Sequence, residues 1–414
     1  MHRTEDRAGV PPERRAVSSR VGLYFGLLQL VFNLSWVIYV VYLPQLAAQA
    51  GIDASWVPWI LVADQLIFVL CDWAAGMASD TVAHIVGRLG RIVAAVTAVS
   101  ASAFLLLPLV TDFGPGLFLV LVALWAVTSS ALRAPPLTLI GRYTPPDQQP
   151  RISSLFLLGL GLSSAVAPFL GMWATAYDPR IMFAASAVSV LVVTGSLVWA
   201  EKTLSRTAPA TEPTVPRFRA APFTRFLVVV LLLGVAYQVH AFINSEPLFR
   251  RFAAAAELPN LLSLFWIGFS VAMLPASLLT KRFGGVPVMA AGALLAAAAA
   301  LAAWLATGVL LLGIAQFVCG GASGAVTMSA VAAALRWGHV GREGQAVGAM
   351  YSVLAMAALV RIAVVAGHVS QGATQMQALL WLPVTAWLLA GLLLLPRPVS
   401  AAPSSRSAPP GADG

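Results

Sequence analysis

The sequence predicts an all-α polytopic membrane protein with twelve transmembrane helices in two six-helix bundles and both ends in the cytoplasm. Three observations carry this. First, 59% of the 414 residues are hydrophobic and only 10% are charged, against about 25% charged in a soluble chain, so a water-soluble enzyme with a conventional core is excluded. Second, apolar runs recur along the whole chain at lengths that cross a ~30 Å hydrocarbon layer, which takes roughly 20 residues per helix. Third, the longest internal polar stretch, residues 201–222, falls after the sixth run and divides the chain in two.

The elements follow in order. Residues 1–20 are too polar for a signal peptide and the next run is too long for its apolar segment, so they read as a cytoplasmic tail before a retained helix. The first bundle, residues 21–200, holds runs at 21–45, 55–79, 91–110, 115–138, 152–173 and 179–200. The second, residues 223–396, holds runs at 223–245, 258–280, 285–306, 308–335, 346–368 and 376–396. Gly, Pro or charged clusters punctuate them. Transmembrane strands would alternate apolar and polar residues, whereas Ala291 to Ala303 is apolar all round. Residues 397–414, rich in Ser, Ala, Pro and Gly, read as a disordered cytoplasmic tail.

Basic residues set the orientation. Arg180, Arg250 and Arg251 fall in outer loops and Arg133 and Arg361 inside runs, which leaves 20 of 25 on the side of the N-terminus. That bias places both ends inside. The halves repeat weakly: the first run ends in Leu43-Pro44 and the seventh in Glu246-Pro247, and the second and eighth each enter a basic loop with glycines. Parallel repeats of this kind are a transporter architecture.

Several chemistries have no support. The net charge of +9 is spread over short loops rather than one basic face, so no nucleic-acid surface is expected. Cys71 and Cys319 lie in apolar runs without metal or disulfide spacing. Neither Lys202 nor Lys281 sits in a phosphate-binding loop, and no hydrolase or metalloprotease motif is present. The chain reads as a non-enzyme without cofactors, and as functional as a monomer.

Charges within the runs mark candidate chemistry, because one at the bilayer centre costs about 2.5–3.5 kcal/mol on insertion scales. Asp64 and Asp72, eight residues apart on one helix, sit ~12 Å apart along its axis and about 80° around it. Both are candidates for proton or cation coupling, and the alternative for Asp72 is a structural pair with Arg133 or Arg361. Those two arginines carry the complementary choice, a charge partner or a clamp for an anionic substrate. Gln29, Asn33 and Trp36 recur on one helical face, and Gln238, His240 and Asn244 stud the corresponding helix of the second half; both sets are candidate cavity lining, or interhelical hydrogen bonds.

The segment Gly76-x-x-x-Asp80, followed by Gly87, Arg88 and Arg91, resembles the connection between helices two and three in the major facilitator superfamily. The seven-residue gap from Asp80 to Gly87, with Asp72 four residues before Gly76, resembles the glycoside-pentoside-hexuronide cation symporter branch. So does the stretch from Pro135, Pro136, Thr144, Pro145 and Asp147 to Arg151. The resemblance implies the major facilitator fold, alternating access, sugar-like uptake and a cytoplasmic latch at Gly76, Asp80, Gly87, Arg88 and Arg91. In that latch Asp80 accepts from Arg88 or meets a helix N-terminus. Phe68 and Arg133 stand where the branch has carboxylates, so a multi-carboxylate sodium site is incomplete and a proton is the expected coupling ion. Ala167-Pro168-x-x-Gly171, with Gly161 earlier in the run, partly resembles a proton-antiporter signature.

The sequence thus predicts a secondary active transporter of a small organic solute in a bacterial-type inner membrane. Proton-driven efflux of an amphiphilic compound is the second reading, and a non-transporting membrane sensor or assembly partner the third.

Overall fold

In the computed structural model of the protein, residues 17–83, 85–173, 176–206, 220–338, 341–369 and 372–395 are described, and no strand occurs among them. Most of both expected tails and residues 207–219 of the central loop lie outside these ranges. Twelve helices are long and apolar enough to span a membrane. In the first half they are α1 (Ser19–Gln49), α2 (Ala54–Val82), α3 (Arg88–Leu109), α4 (Pro115–Tyr143), α5 (Gln149–Met172) and α6 (Pro179–Ser205). In the second they are α7 (Ala220–Phe249), α8 (Ala255–Phe283), α9 (Gly285–Trp304), α10 (Val309–Gly338), α11 (Glu343–Ala366) and α12 (Ala373–Leu394). Each expected run is helical, and many helices extend several residues beyond it into polar ends.

Local chemistry explains where the helices start and bend. At α2 the Asp53 carboxylate accepts from the Ser55 amide at 2.9 Å, and Pro58 occupies the first turn of the α-helix proper, where its missing N–H leaves no hydrogen bond unmade. In α4, residues Ser130–Leu132 tighten into a 3-10 turn just ahead of Pro135 and Pro136. Two consecutive residues without amide donors cannot sustain the regular ladder, and the irregular turn falls beside Arg133. In α7 the ladder widens to a π-turn over His240–Asn244, just before Pro247. A proline ring collides with the carbonyl four residues back, here Ile243, and the wide turn carries that carbonyl aside.

The halves meet along two helix pairs. The α2–α11 seam closes on glycines, with Gly76 packed against the backbones of Gly344 and Gly348. The α5–α8 seam brings Gly161 against Phe269 and Ser270, and the Ser263 hydroxyl donates to the Ala165 carbonyl at 2.7 Å. Burial is heaviest in the second bundle, where the alanines of α9 pack against α10 and Gly292 sits under Val326. Small residues let such backbones approach closely where no hydrophobic force separates helix from lipid.

Candidate functional site

The seam between α2 and α11 ends in an ionic cap. One turn beyond Gly76, Asp80 accepts from the backbone amides of Gly344 and Gln345, each at 2.7 Å. These amides belong to the first turn of α11, whose N–H groups have no partner within the helix, and the carboxylate meets the positive end of its dipole. Of the two partners expected for Asp80, the structure selects the helix N-terminus and not Arg88. Gly87, at a φ of 79°, turns the chain into α3, leaving Arg88 exposed at its start, while Arg91 Nε donates back to the Gly87 carbonyl at 3.1 Å. The cap on α3 comes instead from Glu201 at the end of α6, whose Oε2 accepts from the Gly90 amide at 2.8 Å. Sequence reasoning missed Glu201; its signal was an acidic residue closing an apolar run beside Lys202.

Deeper in the seam, Arg133 Nη1 lies 3.3 Å from Asp72 Oδ2, and Asp72 is fully buried. The alignment is poor, and neither carboxylate oxygen has a hydrogen-bond donor. The guanidinium carbon sits 4.6 Å from the centre of the Phe68 ring and 5.4 Å from that of Tyr351, which belongs to α11 of the other half. Phe68 thus gives the cation an aromatic face, an interaction worth about 2 kcal/mol when desolvated. Tyr351 was not legible in the sequence, since only packing of α11 on α2 brings it here.

Asp64 accepts from the Tyr39 hydroxyl at 2.7 Å and is 1% exposed. Tyr39 stacks within a cluster of Trp36 and Trp125, and Trp36 reaches the Phe68 ring at 5.4 Å, so the two carboxylates of α2 are joined by aromatic contacts. Asn33 donates to the Ser163 hydroxyl on α5 at 2.6 Å; Gln29 is buried against Gly159, its Oε1 without a partner. These two side chains of α1 therefore pack against α5 within the first bundle.

The second-half set divides. His240 Nε2 is 3.0 Å from Gln316 Oε1 on α10, Gln316 Nε2 donates to the Ser245 hydroxyl at 3.2 Å, and Asn244 donates to the Leu379 carbonyl on α12 at 2.8 Å. His240 and Asn244 are buried inside the bundle rather than lining a cavity, because the π-turn shifts the helical phase and aims them at α10 and α12. Gln238 keeps an unpartnered Oε1. Arg361 finds no carboxylate among the described residues: its guanidinium carbon lies 4.6 Å from the Phe242 ring centre, and its buried Nε has no acceptor. Asp72 thus pairs with Arg133 and leaves Arg361 without a counter-ion. A separate cavity of about 790 Å³ opens near Arg251, Trp304, Met376 and Leu380, among residues distinct from all of these.

Two six-helix bundles that meet where Tyr351 faces Arg133 and where Asp80 caps α11 have the architecture of a membrane transporter. The sequence matches the family model of the Major Facilitator Superfamily over residues 25–254, more than half of the chain, and the protein belongs to that superfamily. No curated protein sequence matches it significantly. Solved structures share the fold at low identity. The human organic anion transporter MFSD10 aligns with a TM-score of 0.69 at 16% identity, covering 93% of this chain and 100% of its own. A bacterial homologue of the iron transporter ferroportin, in an outward-facing state, gives 0.71 at 12% identity over 91% and 98%. The fucose:proton symporter FucP of E. coli gives 0.62 at 14% identity over 92% and 98%.

Proposed function

We propose that the protein is a proton-coupled secondary transporter that moves a small organic solute across the bacterial inner membrane by alternating access, acting as a monomer. The observation that carries this is the Asp72–Arg133 pair under Tyr351. A fully buried carboxylate whose oxygens lack donors gains a hydrogen-bonding group on protonation. Protonation also frees Arg133 from its counter-ion at a contact between the two halves. A proton arriving at Asp72 would therefore change the charge balance around Arg133, the side chain that faces Tyr351 of the other half, and Asp64, held by Tyr39, is the secondary proton site.

With both termini cytoplasmic, Asp80 on the N-terminus of α11 closes the inner side, and the solute enters between the bundles from outside. The helix 2–3 and 4–5 connections favour uptake in the manner of the glycoside-pentoside-hexuronide branch. Export of an amphiphilic anion is the second reading, favoured by Arg361, which lacks a counter-ion. The test is reconstitution in liposomes with an imposed proton or sodium gradient and a panel of labelled sugars, carboxylates and amphiphiles. Flux that follows the proton gradient supports the proposal. Flux that follows sodium and ignores pH sinks the proton coupling, and the absence of gradient-driven flux for every solute returns the protein to a sensor role.

A further inference from the structure

Arg361 is a charged side chain inside a spanning helix of the second half to which the described residues supply no answering charge. It lies within α11, one residue from buried Ile362, and its buried Nε reaches no acceptor among the described residues. Its guanidinium rests on Phe242, and the Phe242, Tyr237 and Trp266 rings meet one another with centres 5.8 to 6.1 Å apart. The three rings come from α7 and α8, and the Phe242 ring brings this cluster against the guanidinium carried by α11. Phe242 is 47% exposed, so one side of the cluster is not covered by protein. On the same stretch of α7, Gln238 presents an Oε1 that no donor satisfies.

A guanidinium binds carboxylates through a planar fork of donors, whereas an aromatic ring offers it only a diffuse negative face. The rings hold the cation in place and leave its fork uncommitted. Aromatic walls also suit the flat or apolar body of a ligand, and the unsatisfied Gln238 oxygen suits a hydroxyl or amide hydrogen on it. Arg133 does not share this property, because Asp72 already answers it at 3.3 Å.

We propose that Arg361, Phe242, Tyr237 and Trp266 form the recognition site for the solute, and that the solute is an organic anion with a single carboxylate on an aromatic or strongly apolar body. This deepens the transporter reading above and rests on it. It divides the labour between halves: Asp72 and Arg133 of the first handle the proton, and Arg361 of the second handles the anion.

The probes are isosteric pairs that differ in charge, benzoate with benzamide and phenylacetate with phenylacetamide, together with acetate as a carboxylate lacking the apolar body. Binding to the purified full-length protein is measured by calorimetry and thermal shift. At least one aromatic carboxylate is expected to bind roughly tenfold or more tighter than its amide and than acetate. Arg361→Gln removes the difference between acid and amide, Arg361→Lys retains part of it, and Phe242→Leu weakens the aromatic acids while sparing the already weak acetate. Equal binding of acid and amide, undiminished binding to Arg361→Gln, or no binding of either aromatic acid overturns the proposal. Should Arg361→Gln fail to fold, Phe242→Leu and the acid–amide comparison on the unaltered protein decide the matter alone. Gradient-driven flux of the same solutes is measured in parallel. Acids that bind but are never moved would defeat the transporter reading and leave the site standing, and flux of neutral amides that matches the acids would do the reverse.

Discussion

Arg133 touches both halves of the protein at once, its guanidinium 3.3 Å from the Asp72 carboxylate on α2 and 5.4 Å from the ring centre of Tyr351 on α11. A cation held this way has one partner on each half, on helices that the proposed alternating access would separate. Asp72→Asn is expected to abolish gradient-coupled flux. It also strands a buried cation, at a cost of about 3–5 kcal/mol for breaking such a pair from one side. The double variant Asp72→Asn with Arg133→Gln removes both charges and recovers most of that stability while flux stays lost. Thermal denaturation and proton-driven uptake measure the two effects separately, and a double variant that regained coupling would show the pair to be structural.

The cap on α11 makes a second prediction. Asp80→Ala removes a charge-assisted acceptor from two amides and leaves the helix dipole unanswered, destabilising this closed arrangement by about 1–2 kcal/mol. Distances between spin labels on the ends of α2 and α11 should lengthen or broaden. A distribution identical to that of the unaltered protein would deny Asp80 the latch.

Glycines inside and outside this seam differ in what they tolerate. A methyl group at Gly76 would strike the Gly344 carbonyl, whereas nothing lies within 4 Å of the position a Cβ would take at Gly171. Gly76→Ala is therefore expected to push α2 and α11 apart and suppress transport, and Gly171→Ala to behave as unaltered protein. Equal activity of the two would contradict the close approach.

Gln316 answers both His240 and Ser245. Gln316→Leu leaves the imidazole without its partner and should cost about 1–3 kcal/mol in thermal stability, without altering the dependence of flux on the proton gradient. A changed gradient dependence would bring His240 into the proton path.

Orientation is checked most directly. A fluorescent protein fused to the C-terminus is expected to light up, as folding on the cytoplasmic side allows, and an alkaline phosphatase fused there to stay inactive. The reverse pattern would invert the reading of every basic loop.

The helices were legible because each must be about 20 residues of apolar side chains whatever it packs against. The run from Ala291 to Ala303 could be nothing else. Gly76 and Asp80 were legible as a pair through the resemblance of their segment to the major facilitator helix 2–3 connection, yet the identity of Asp80's partner depended on the direction in which Gly87 turns the chain. The pairing of Asp72 with Arg133 was one of two arrangements the charges allowed. Interhelical hydrogen bonds were one of the two readings open for His240 and Asn244; which helices answer them was not legible, because a π-turn changes the phase of α7 within a few residues. Tyr351 and Phe242 carried no mark at all: aromatic residues among apolar neighbours gain a role only when another helix brings a guanidinium to them.

The two donors that Asp80 engages belong to the main chain of α11, so a side-chain change at Gln345 cannot withdraw them. Only proline, which lacks the hydrogen, deletes a donor there. Mutational vulnerability at this closure is consequently lopsided: the second half can drift in sequence through the turn, within the limits of bulk at Gly344, while the first half depends on one carboxylate. A lineage in which Asp80 is replaced leaves both amides without this acceptor and must answer the N-terminus of α11 by some other contact.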